Sequence, residues 1–115
     1  MATLARRGDD VVVSLAATEK LEAVHGDLSI PVGTIRSVEV CEEPYEHVEG
    51  LRVLGAGIPG GTAVGTFLSS DEKTFAVVHR HVHRGLILRM EGFSYDEVII
   101  SVEDPEATMT SLGLS

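Results

Sequence analysis

The chain has 115 residues, 43% of them hydrophobic and 4% aromatic with no Trp, which fits one globular domain whose core is built from Val, Leu, Ile and Ala. A formal net charge of -9 repels phosphate backbones and anionic lipid surfaces, so neither nucleic acid nor a membrane is expected as a partner. The single cysteine, Cys41, excludes an intramolecular disulfide and is compatible with the reducing cytoplasm, where we expect the protein to reside.

The opening MATLARRGDD places two aspartates where a secretory leader needs an apolar run, so a soluble, unprocessed protein is expected; residues 1–9 are expected to be a flexible N-terminus. Residues Asp10 to Ala16 are β-branched and read as a first strand. Thr18 then suits the cap of a brief helix with Leu21 and Val24 on one face, stopped by Gly26. In LSIPV, Leu28, Ile30 and Val32 alternate as on a half-buried strand, and Pro31 places that strand near an edge or at its end. TIRSVEV comes next, with Val38 and Val40 in phase and Ile35 out of phase, which predicts a bend or bulge near Ser37.

The acidic CEEPYEHVEG reads as a loop with Glu42, Glu43, Glu46 and Glu49 solvated, and GLRV as a short strand. TAVGTF is a further strand, with Gly65 marking a close approach by another group. After the polar turn SSDEK, TFAVVH and GLILRMEG read as the two arms of a hairpin, with Leu86, Leu88 and Met90 inward and Arg89 and Glu91 outward. FSYDE is a turn, VIISVED a last strand with Val98, Ile100 and Val102 on one face. Asp104 and Pro105 then supply the cap and first residue of a C-terminal helix with Met109 and Leu112 on its inner side. Consecutive strands closed by one helix imply a mainly β (β+α) class: a strongly bent antiparallel sheet or partly open barrel capped by that helix.

Gly55, Gly57 and Gly60 have the spacing of a dinucleotide-binding turn, but the residues after Gly60 encode none of the helix such a turn requires. GTAVGTF is rich in glycine and β-branched residues, and Pro59 removes a backbone donor from the loop that would hold the phosphates. A tight turn into a strand accounts for these glycines, and no cofactor is expected.

VVHRHVHRG is the most unusual segment, with His79, His81 and His83 at alternate positions. On an extended strand the three imidazoles share a face, so they are the candidate metal ligands; the competing readings are the solvated tip of a hairpin, where His and Arg are simply polar, and an anion-binding role for Arg80 and Arg84. The acidic loop lacks the spacing of a calcium loop. Cys41 and the serines have no surrounding nucleophile signature, and Asp9 with Asp10, or Asp71 with Glu72, sit in predicted turns without apolar surroundings. Catalysis is therefore not expected.

IPVGTIRSVEV at 30–40, GAGIPGGTAVGTF at 55–67 and YDEVIISVEDPEATMTSL at 95–112 together resemble the bacterial pleckstrin-homology-like domains, over a span from about Asp10 to Leu112. The resemblance is to short stand-alone members, and it implies one PH-like domain over residues 1–115, a curved seven-stranded antiparallel sheet closed by the C-terminal helix. Eukaryotic relatives bind phosphoinositides through a basic first loop. The matching TEKLEAVHGD sets Lys20 and His25 against Glu19, Glu22 and Asp27, so that ligand is not carried over. The sequence thus points to a noncatalytic protein-binding or self-assembly module, a homo-oligomer or a protein-partner complex formed through sheet edges. The alternative is a metal- or small-ligand-binding protein using His79, His81 and His83.

Overall fold

A computed structural model describes residues 2–15, 27–49, 52–54, 62–69 and 71–113. The helix expected between Thr18 and Gly26 and the glycine turn over 55–61 lie outside these residues. Within them the order is β1 Thr3–Arg7, β2 Asp10–Ser14, β3 Leu28–Pro31, a 3-10 turn Val32–Thr34, β4 Ile35–Glu42, α1 Pro44–Glu49, β5 Arg52–Leu54, β6 Thr62–Ser69, β7 Glu72–His79, β8 Arg84–Met90, β9 Glu97–Ser101 and α2 Pro105–Leu112. The fold is mainly β and ends in a helix, as its strand-rich sequence implies. Its strands form two sheets, β1-β2-β3 and β4-β8-β9-β7-β6-β5, and the larger is not closed into a barrel.

Residues 3–7, expected within a flexible N-terminus, instead form an edge strand. Leu4 is buried, and β1 pairs antiparallel with β2 from Thr3 opposite Ser14 to Arg7 opposite Asp10. The turn between them is Gly8-Asp9, with Gly8 at φ 61, a backbone geometry that glycine adopts without penalty. Two charged arginines conceal the strand in sequence; both are exposed, and Arg6 reaches the end of α2, its Nη1 donating to the Leu112 carbonyl at 2.9 Å.

The main core lies between the sheets. Val11, Val13, Leu28 and Ile30 of the small sheet meet Phe75, Val77, Leu86, Leu88, Val98 and Ile100 of the large one, and Leu112 of α2 closes the cluster. On the opposite face of the large sheet, Phe67, Ala76, Val78, Ile87 and Ile99 pack under Val48. The central strands are thus covered on both faces, which is why FAVV, LIL and VII are continuous apolar runs instead of alternating ones.

The segment 44–49, expected as loop, is helix α1. Proline opens it, and Tyr45 and Val48, three apart on one side, cover the second cluster while Glu46 and His47 are exposed. Pro44 seats close to Gly85: a Cβ on that glycine would lie 2.3 Å from the Ile100 carbonyl oxygen and 3.1 Å from Pro44 Cγ. Gly85 is therefore the position at which β8 lets β9 and α1 close up.

β7 and β8 do not form the expected hairpin. β9 lies between them, parallel to β7 from Thr74 opposite Glu97 to Val77 opposite Ile100, and antiparallel to β8 from Gly85 opposite Ser101 to Arg89 opposite Glu97. Residues 80–83 cross two strand spacings, about 10 Å, within reach of four extended residues. This arrangement, with one parallel pair and nine strands in two sheets among the described residues, departs from the single seven-stranded antiparallel sheet that the family resemblance implies.

Two local expectations hold in detail. Ile35 faces Met90 and Ser37 faces Arg89, which leaves Arg36 as the extra residue of a bulge in β4. In α2, Asp104 Oδ1 accepts from the Ala107 amide at 3.1 Å, Pro105 is the first helical residue, and Gly113 at φ 67 ends the helix with its amide donating to the Thr110 carbonyl.

Candidate functional site

β7 ends at His79, where a turn begins: the Val82 amide donates to the His79 carbonyl oxygen at 3.0 Å, and Arg80 and His81 occupy the exposed centre. This turn breaks the alternation that would have set three imidazoles on one strand face. His79 and His81 are brought together, with ring centroids 5.8 Å apart and tilted by 55°. His83 is directed elsewhere, its Nδ1 2.9 Å from Glu43 Oε1, while its carbonyl accepts from the Glu43 amide at 2.7 Å. Among the described residues, no group of three or more His, Cys, Asp or Glu is arranged to hold a metal ion.

The cations of this segment are held by groups distant in sequence. Arg84 donates through Nε to Glu42 Oε2 at 2.9 Å and grips Glu106 with both terminal nitrogens, Nη1 to Oε1 at 2.9 Å and Nη2 to Oε2. This two-pronged contact ties the start of β8 to the first turn of α2. Donating to Glu106 and then to Glu42 keeps the guanidinium more firmly protonated, and accepting from Arg84 holds the Glu106 carboxyl below its usual range. Arg80 lies over the Tyr45 ring, 5.1 Å from its centroid. Around these groups is a shallow cleft of about 240 Å³ lined by His81, Val82, His83, Arg84, Val102 and Glu103. Beyond Val102 and Glu103 a second cleft of about 330 Å³ runs along Ala2, Thr3, Leu4 and Thr108.

The acidic segment partners this end of the sheet: Glu42 is the counter-ion of Arg84, and Glu43 is within hydrogen-bond distance of the His83 ring. Cys41 is half-buried against the second apolar cluster. Burial first, then the charges of Glu42, Glu97 and Glu39, push its thiol up, so it is a protonated, weakly nucleophilic group at neutral pH. Asp9 and Asp71 lie in turns, and Asp10 and Glu72 open strands.

Sequence reasoning missed two features. Glu97 is buried on β9, where it accepts from Thr74 Oγ1 at 3.2 Å and pairs with Arg89 at 3.0 Å; no local pattern in VIISVED marks it. The other is the edge of the large sheet. β4 is eight residues long, pairs with β8 along one side and, among the described residues, with no strand along the other. On it sits Val40, the exposed large hydrophobic residue of the described structure, at 36% exposure.

Among the described residues, no helix is long and apolar enough to cross a membrane. Comparison with protein-family models, with curated proteins and with solved structures gives no match to this chain.

Proposed function

We propose that this protein is a noncatalytic cytoplasmic binding and assembly module that docks an extended protein segment along the open edge of β4. The observation that carries the reading is β4 itself: about 27 Å of strand at ~3.4 Å per residue, hydrogen-bonded on one side and bearing the exposed Val40. An added strand satisfies the free backbone groups of such an edge, and its alternate side chains set specificity. The closing helix behind Val102-Glu103-Asp104-Pro105 supports kinship with the pleckstrin-homology-like domains, whereas the parallel β7–β9 pair is foreign to the sheet that kinship implies.

Extended peptides selected from a displayed library, titrated into isotope-labelled protein, are expected to move the amide resonances of residues 35–42 first. Val40→Lys, which sets a charge on the edge, is expected to abolish those shifts. Peptides whose shifts map to 79–84 and leave β4 unmoved would overturn the reading in favour of a ligand site at the histidine turn.

A further inference from the structure

We infer that the segment docked on β4 is β4 of a second copy, running antiparallel about a two-fold axis at Glu39. This rests on the edge-docking reading and names its occupant. A two-fold axis normal to the sheet keeps every side chain on its own face, and directly opposed residues of an antiparallel pair share a face. A symmetric pair must therefore centre on a residue that meets itself. Arg36 forms the bulge, so the regular part of the strand is Ser37 to Glu42, and the choice lies among its central residues.

Centring on Glu39 sets Val40 against the partner's Val38 twice, on the face of β4 that packs toward the main core. It covers the exposed valine of both copies and brings the bulge at Arg36, whose guanidinium is 3.7 Å from Glu91 and donates to the Gly33 carbonyl, toward the partner's Glu42, the acceptor of Arg84, so that opposite charges lie at both ends of the pair. Ser37 meets the partner's Cys41. The unfavourable contact is Glu39 with the partner's Glu39, both on the exposed outer face. Centring on Val40 instead places Val38 against the partner's Glu42 twice. Centring on Val38 sets Val40 against the bulged Arg36. The valine pairing decides for Glu39, and the charges at the two ends are compatible with it.

The register has a direct test. Opposed Cα atoms in an antiparallel pair lie about 4.5 or 5.5 Å apart, within the roughly 4.4–6.8 Å that a disulfide spans. Ser37→Cys, with Cys41 retained, is expected to give covalent dimers under glutathione disulfide, each bridge passing two electrons and two protons to form two glutathione thiols. Residues 37 and 41 of one strand are too far apart to bridge, so the product reports the interface. The unmodified protein is expected to remain uncrosslinked, Val40→Lys to weaken self-association at least about tenfold in sedimentation, and Glu39→Gln to strengthen it. A monomer at about 100 µM would overturn the inference, as would a dimer that Ser37→Cys fails to crosslink or one bridged through Cys41 alone. Peptide-induced shifts on β4 would survive that failure and leave the edge-docking reading standing; their absence as well would remove both.

Discussion

Gly85 shows how much of the fold a single missing methyl group decides. It is buried in β8, flanked by the Ile100 carbonyl of β9 and the Pro44 ring of α1, and a Cβ there meets backbone that has no rotamer by which to yield. Gly85→Ala is expected to destabilise the protein by about 1–3 kcal/mol in urea unfolding, the usual range for overpacking a tight site. A loss below a few tenths would show that α1 and β9 are not seated as described. The glycine was legible in sequence as the start of a strand but not as a contact point, because Pro44 and Ile100 lie far from it along the chain. The same distance hid Arg84. Its partners Glu42 and Glu106 are 42 and 22 residues away, and each by itself reads as a solvated charge.

At the scale of elements, that arginine joins helix to sheet. The Glu106 carboxyl is held below its ordinary value by the Arg84 bond, so its contribution is present above the unfolded-state pKa of about 4.3 and is lost as pH falls through the lower folded value. Glu106→Gln should therefore lower the melting temperature at pH 7, and the gap from the unmodified protein should close on acidification below about pH 4. A gap independent of pH would show that the side chain acts through packing alone. α2 was legible because its signals are local: the aspartate cap, the proline behind it, the glycine stop and Leu112 facing inward. The bulge in β4 was legible for the same reason, as a break in the phase of Ile35, Val38 and Val40. α1 was not, because four acidic residues around it match a loop while the covering side of a six-residue helix needs only Tyr45 and Val48.

At the scale of the molecule, the topology is what sequence order conceals. Strands that are consecutive in the chain are commonly neighbours, and β7 and β8 read as a hairpin on that ground. Both are apolar on two faces, and β9 is the strand whose own two apolar faces let it lie between them, under α1 on one side and against the small sheet on the other. Placing β9 there pushes β8 outward and leaves β4 as the rim of the large sheet. The histidine turn has the same origin: 80–83 is a crossover and not a hairpin tip, so its imidazoles are divided between His79 with His81 and His83 with Glu43.

The proposed role of the molecule depends on that rim being open. The measurement that tests this most directly is amide hydrogen exchange resolved along residues 35–42 over a range of protein concentrations. In dilute protein, the amides bonded to β8 are expected to be protected and the alternate ones to exchange rapidly, then to gain protection as copies or strand-like peptides pair with the edge. Uniform protection of β4 in the dilute monomer, or rapid exchange of its outer amides unchanged in the assembled protein, would contradict the account.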